Sequence, residues 1–193
     1  MSAPPDVARA LAAVAAGMRR SGKRWYVFGA QAVVAYGEPR LTADLDITAA
    51  ATPDQIPELV AALVEAGLQL RVQSTDDFVR RTGVLPFVHR ETGLPVDVVL
   101  AGPGLEEEFL AAARDIDLGG VTVPVIGPED LIVTKILAGR PKDLGDVRGV
   151  LREQLPDLDL ERCRRFLGLL EEALARADLL AQLDRLLAGV REG

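Results

Sequence analysis

The sequence predicts an α+β fold, with a mixed β-sheet core flanked by helices and a C-terminal helical bundle. Three observations carry this prediction. Strand-like and helix-like patterns alternate over about the first two thirds of the chain. Two glycine-centred turns join neighbouring strand runs as hairpins. From Pro128 onward every segment reads as helix. The expected division is a core over 1–126 and a helical region packed on it over 127–193.

The elements follow in order. Asp6 caps a first helix running through Leu11, Val14 and Met18 to about Arg20. Residues 25–28 (WYVF) form a short strand, and 29–36 (GAQAVVAY) a helix set directly on it. A second strand covers 44–48 (DLDIT). Thr52 and Gln55 make a capping box with Pro53 at the first helical position, and that helix stops near Gly67. A short strand is expected near 70–72. Strands 85–89 and 95–100 flank Glu91-Thr92-Gly93 as a hairpin, a helix follows over 105–113, and Gly119-Gly120 turns a second hairpin into 121–126. Helices are then expected over 128–139, 141–152, 160–176 and 179–190. The run Glu106-Glu107-Glu108 reads as a solvated helix face.

The chain has 193 residues and a formal charge of −7, which excludes an overall basic nucleic-acid coat. The single cysteine, Cys163, rules out an intramolecular disulfide and reads as structural. One cysteine and one histidine cannot make a zinc-finger ligand set. No apolar run approaches the roughly 20 residues of a membrane span, and residues 8–16, interrupted by Arg9, fit an amphipathic helix better than a signal segment. A cytoplasmic protein without membrane association is expected.

One motif fails on inspection. Residues 17–24 (GMRRSGKR) nearly match a P-loop, but Arg24 stands where a magnesium-binding hydroxyl belongs, and the segment leaves a helix and enters a strand, the reverse of a P-loop. It reads as a basic helix end with a glycine stop.

The carboxylates are more informative. Asp44 and Asp46 stand two apart on one strand, so both point to one face while Leu45 and Ile47 point to the other. Two such carboxylates repel and call for a cation; Mg²⁺ prefers oxygen ligands of this kind. Asp97 lies in an otherwise apolar strand (VDVVL), where it requires a partner or a metal. If the strands are neighbours, three carboxylates converge, enough for two metal ions acting on a phosphoryl group. Upstream, Phe28-Gly29-Ala30 ends a strand and opens a helix, a junction whose backbone N–H groups suit a triphosphate.

Phe28-Gly29-Ala30, Thr42-Ala43-Asp44-Leu45-Asp46-Ile47 and Val96-Asp97-Val98 together resemble the signature of the DNA polymerase β-type nucleotidyltransferase superfamily: Gly-Gly or Gly-Ser, a spacer, D-x-D and a later strand Asp. Glu129-Asp130-Leu131, Lys135, Arg140 and Lys142-Asp143-x-x-Asp146 resemble the downstream segment of its AbiEii/AbiGii-like branch. Many members of that branch are toxins of toxin–antitoxin or phage-defence systems, and some modify the 3′ end of tRNA. The resemblance spans residues 25–146 and implies a nucleotidyltransferase-type core. It also implies Asp44, Asp46 and Asp97 as ligands of two Mg²⁺ ions, and an NTP held by Gly29, Ala30, Arg40, Thr42 and Asp146. Lys135, Lys142 and Asp143 join the three aspartates as catalytic residues. The implied reaction transfers an NMP to a hydroxyl acceptor, RNA or tRNA-like, and a cognate antitoxin is the implied partner. Ala30 departs from the signature: it keeps the backbone donors and offers no hydroxyl.

Two other functions share these motifs. One is nucleotidylation of a small antibiotic, the other a catalytically degenerate fold that binds nucleotide or a partner. Arg40 and Lys135 are expected to neutralise phosphate. Arg140 and Lys142 sit at the corner between two helices, near the positive end of the second, so an anion is expected there, with the helical half closing over the metal site. His89 reads as a surface histidine at a strand end. Arg19, Arg20, Lys23, Arg24, Arg71, Arg80, Arg81 and Arg90 would bind an RNA backbone if they gather on one side.

Overall fold

The structure, a computed structural model, describes residues 5–38, 44–72 and 75–191. The chain divides into two compact units, Met1–Gln31 with Leu41–Ile126, and Ala32–Arg40 with Gly127–Gly193.

The first unit holds one seven-stranded mixed sheet. In chain order the strands are β1 (Trp25–Val27), β2 (Leu45–Ala49), β3 (Leu68–Leu70), β4 (Val84–His89), β5 (Pro95–Leu100), β6 (Arg114–Asp117) and β7 (Thr122–Val125). They lie in the order β3-β4-β5-β2-β1-β7-β6. Both expected hairpins are present as the antiparallel pairs β4–β5 and β6–β7. Pairs β2–β5 and β1–β7 are parallel, each joined through long helix-containing connections, whereas β1–β2 is antiparallel.

Side-chain alternation divides the sheet chemically. Leu45, Ile47, Leu85, Phe87, Val96 and Val98 are completely buried on one side of their strands. The alternate residues Asp46, Asp97 and Val99 are half-buried. One side is therefore wholly core, while the other, where Thr48 and Pro86 are also buried, is partly open at Asp46, Asp97 and Val99.

Helix α1 (Pro5–Ser21) packs on α3 (Ile56–Glu65), and the two reach β2 and β3. Asp6 lies inside the first turn of α1, since the helix already starts at Pro5. Gly17 lets the two helices approach: a Cβ there would lie 2.8 Å from Leu63 Cδ2 and 3.3 Å from the Ala62 carbonyl oxygen. The capping segment begins as a short 3-10 turn over Pro53–Gln55, where the Gln55 side chain accepts the Thr52 N–H at 3.1 Å. Helix α5 (Leu105–Ala112) exposes Glu107 and Glu108, and Glu107 receives two 2.8 Å hydrogen bonds from Arg24. One helix escaped the sequence reading, α4 (Thr75–Thr82). It is short and polar, so hydrophobic periodicity does not reveal it; its basic last turn, Arg80-Arg81, and the closing Gly83 N–H to Val79 carbonyl bond at 2.7 Å do.

His89 is a correction. It is buried (5% exposed), and its Nδ1 lies 2.8 Å from the Thr92 hydroxyl across the hairpin turn, so it staples the turn and is not a surface residue.

Helix α2 (Gly29–Tyr36) begins in the first unit and ends in the second. The second unit adds α6 (Pro128–Ala138), α7 (Pro141–Gln154), α8 (Leu160–Leu174) and α9 (Leu179–Arg191). Ile132, Ile136, Val150, Leu151, Leu167 and Leu183 are buried in its core. Gly139 ends α6 in the left-handed conformation (φ 65°) with its N–H on the Lys135 carbonyl. Asp159 caps α8, and Glu171 reaches across to accept the Leu179 and Leu180 N–H groups at 2.7 and 3.0 Å at the start of α9. Residues 37–38 belong with these helices through close packing. A Cβ on Gly37 would lie 3.0 Å from the Val150 backbone nitrogen, and Arg152 pairs with Glu38 at 2.9 Å.

Alanine is the better helix former by about 1 kcal/mol, yet overpacking costs about 1–3 kcal/mol. Gly17→Ala is therefore expected to destabilise the protein, read as a lower urea midpoint. An unchanged or raised midpoint would show that Leu63 moves aside freely.

Candidate active site

The site grows from strand register in the first unit. In the parallel β2–β5 pair, Asp46 is the Cα partner of Asp97, so the two carboxylates leave the sheet on the same side from adjacent strands. Asp44 lies just before β2, exposed, two residues upstream of Asp46. On the other flank of β2, the Phe28 N–H donates to the Asp46 carbonyl at 3.0 Å, which ties the β1–α2 junction to the same register.

That junction is shaped around Asp46. Gly29 opens α2 with φ 65°, and a Cβ there would stand 2.1 Å from Asp46 Oδ2 and 2.9 Å from its Cγ. The Asp46 carboxylate thus fills the space that any other side chain would need. Ala30, the next residue, is buried (4% exposed).

The sequence reading missed a specific role for Arg71, just past the end of β3. Its backbone N–H donates to the Pro86 carbonyl at 2.9 Å, its Nε to the Phe87 carbonyl at 2.9 Å, and its Nη2 to Asp97 Oδ1. Pro86 is the β4 partner of Asp97. Arg71, Pro86, Asp97 and Asp46 therefore form one row across four neighbouring chain segments. No sequence signal marks an arginine two strands away as the partner of a strand aspartate; only the pairing order does.

The donor set suits a hard divalent cation, since two carboxylates stand side by side with a third just upstream. Among the described residues, no three His, Cys, Asp or Glu side chains are grouped closely enough to enclose an ion. The fit rests on the Asp46–Asp97 pair and on the room left for it at Gly29.

The remaining expected residues fall outside the described residues or belong to the second unit. Arg40 and Thr42 fall outside the described residues. Lys135, Asp143 and Asp146 meet one another in the second unit. Lys135 Nζ donates to Asp146 Oδ2 at 2.7 Å and to Asp143 Oδ1 at 3.3 Å, with all three side chains at most 8% exposed. Arg140, exposed, also binds Asp143. Burial, the largest influence, pushes the Asp143 carboxyl up, but Arg140 and Lys135 together hold it below the usual carboxylate range. Lys135 thus joins α6 to α7 as a buried counter-ion. Lys142 is exposed in the first turn of α7. Glu129 and Asp130 are buried as well; Arg162 grips Asp130 at 2.7 and 2.9 Å and anchors α8. Cys163 is fully buried, with burial and nearby acids pushing its thiol up to about 12, which makes it inert and structural.

A separate open pocket of about 540 Å³ lies beyond the C-terminal ends of β2 and β5, lined by Ala51, Ile56, Pro57, Val79, Arg80 and Leu100. At about 3.3 Å per strand residue it is on the order of 10 Å or more from the carboxylate row.

Two outcomes follow from this geometry. Gly29→Ala must displace the Asp46 carboxylate and adopt a left-handed backbone; cation and nucleotide binding are expected to fall at least about tenfold, measured by calorimetry, with the circular dichroism spectrum retained. Lys135→Ala removes the buried cation shared by Asp143 and Asp146, leaving Arg140 on Asp143, and is expected to cost about 3 kcal/mol in urea unfolding. Because the Asp143 pKa is depressed in the folded state, its contribution is present above the unfolded value near 3.9 and is lost as pH falls through the lower folded value. A thermal midpoint that Lys135→Ala leaves unchanged at pH 7 would remove the counter-ion role.

Comparison with known proteins agrees with this architecture. Curated proteins give no sequence match. The fold is shared with the antibiotic-resistance factor ANT(2'')-Ia, at TM-score 0.59 and 13% identity over 88% of this chain and 95% of that one. It is also shared with an antigenic nucleotidyltransferase-like protein from Paracoccidioides brasiliensis, at TM-score 0.55 and 18% identity over 95% of each chain. The family described as nucleotidyltransferase of unknown function (DUF6036) matches residues 10–167, and the chain, an enzyme by that match, belongs to this nucleotidyltransferase family.

Proposed function

We propose that the protein transfers an NMP from an NTP to a hydroxyl acceptor, in a Mg²⁺-dependent reaction, at the carboxylate row of the first unit. The observation that carries this reading is the register pairing of Asp46 with Asp97, with Asp46 seated against Gly29. Asp46 and Asp97, with Asp44, would hold the Mg²⁺, whose charge and Lewis acidity offset the triphosphate. The start of α2 at Gly29 and Ala30 offers backbone N–H groups to the phosphates. Arg40, Thr42 and Lys142 are the further proposed nucleotide contacts. Asp97 takes the proton of the acceptor hydroxyl. The acceptor oxygen forms a bond to the α-phosphorus, the bond to the bridging oxygen breaks, and pyrophosphate leaves with that electron pair.

RNA with a tRNA-like 3′ end, in a toxin held by a cognate antitoxin, is the acceptor the sequence resemblance supports. A second reading, a small hydroxyl-bearing antibiotic, is favoured by a specific observation. Several of the basic residues expected to form an RNA-binding patch are already paired with acids: Arg20 with Glu65 at 2.9 Å, Lys23 with Glu58 at 3.7 Å, and Arg24 with Glu107 at 2.8 Å. Such pairing reduces the charge offered to a phosphate backbone.

The test incubates the protein with each labelled NTP, Mg²⁺, and either total RNA or a panel of aminoglycosides and lincosamides. Label is expected on one acceptor class, and Asp46→Asn is expected to reduce transfer at least about a hundredfold without lowering the melting temperature. Nucleotide binding without transfer to any acceptor would favour the degenerate binding protein; full activity in Asp46→Asn would sink the site.

A further inference from the structure

We infer that Arg71 is a built-in counter-ion of the carboxylate row, holding Asp97 while the site is empty and exchanging it for a nucleotide phosphate when Asp97 turns to a divalent cation. The inference rests on the nucleotidyltransferase reading of that row.

The argument begins with how Arg71 is held. An exposed ion pair alone would be worth little, and Arg71 and Asp97 are 40% and 37% exposed at their side chains. Here, however, the arginine has anchors independent of the aspartate. Its backbone N–H is fixed to the Pro86 carbonyl and its Nε to the Phe87 carbonyl, both on β4. Only one arm of the fork, Nη2, is given to Asp97. If Asp97 swings away, the guanidinium keeps its Nε bond to the Phe87 carbonyl, and the backbone bond to Pro86 keeps the root of the side chain fixed on β4. It then presents an unneutralised, planar pair of donors beside the row, a geometry that suits a phosphate oxygen. Pro86, the β4 residue in line with Asp97, has no N–H to compete for the aspartate.

The charge arithmetic gives opposite signs for the two ligands. Next to Asp97 and Asp46, a fixed positive charge opposes a divalent cation and favours a polyanion. A residue that merely stiffens the sheet would shift both affinities the same way, along with stability. Loss of the charge is expected to change each affinity by about fivefold, the size suited to a half-exposed group near the ligand.

The experiment uses the full chain. Mn²⁺ binding without nucleotide is measured by electron paramagnetic resonance, and binding of a fluorescent ATP analogue in EDTA by anisotropy, for the parent, Arg71→Gln and Arg71→Lys. Arg71→Gln is expected to bind Mn²⁺ about fivefold tighter and the metal-free nucleotide about fivefold more weakly. Arg71→Lys, which keeps the charge, is expected to return Mn²⁺ affinity to near the parent value. If the parent binds Mn²⁺ and nucleotide, Asp46→Asn loses the Mn²⁺, and Arg71→Gln moves neither affinity, or both in one direction with a lower melting temperature, Arg71 is a structural clamp and only this inference falls. A parent that binds neither ligand removes the nucleotidyltransferase reading of the row and this inference with it.

Discussion

The parallel pairing of β2 with β5 is the constraint on which the candidate site depends. Two carboxylates on neighbouring strands repel, and nothing in the strands themselves favours bringing them together. What fixes the register is the opposite side of the sheet. Leu45, Ile47, Val96 and Val98 are completely buried there, and a slip of one residue would turn them out and the aspartates in. Hydrophobic burial on one side thus holds the charges side by side on the other. The local cost is met by Arg71 on Asp97 and by the absence of a side chain at Gly29.

The second unit handles charge in the opposite way. Lys135, Asp143 and Asp146 are almost fully buried and satisfied by one another, as is Asp130 by Arg162. Buried pairs of this kind add little net stability over an apolar core but are costly to break from one side. They fix which helix faces meet: Lys135 ties α6 to α7, and Asp130 ties α6 to α8. Within the second unit this charged motif thus has an architectural part. Exposure differs between the two clusters: Asp44 is exposed and Asp46 and Asp97 are half-buried, whereas Lys135 and Asp143 are buried.

Much of this was legible in the sequence, because it rests on local rules. The alternation of DLDIT put Asp46 on the face opposite Leu45 and Ile47; GG and ETG turns gave both hairpins; Pro128, Gly139 and Pro141 marked the helix corner. What was not legible depends on long-range pairing or on burial. Arg71 finds Asp97 only because β3, β4 and β5 are neighbours, twenty-six residues apart in sequence. His89 read as exposed because a strand end usually is, but the Thr92 hydroxyl draws it inward. Helix α4 has too few apolar residues for its period to show. The KDxxD spacing gave the right helix face for Asp143 and Asp146 but not what that face meets.

The departure at Ala30 can be weighed physically. Its side chain is buried, so position 30 meets the protein interior with its Cβ, and a ligand reaching the start of α2 meets backbone first. Early N–H groups of a helix have no partner within it and are donors whatever the side chain. A hydroxyl at this position would add one more donor to several that the main chain already provides. Gly29 has no such latitude. Its left-handed backbone and the Asp46 oxygen in the place of its Cβ each exclude another residue. Of the two residues at this junction, Gly29 is the one geometry cannot spare, while Ala30 keeps the backbone N–H groups that the proposed reaction would use.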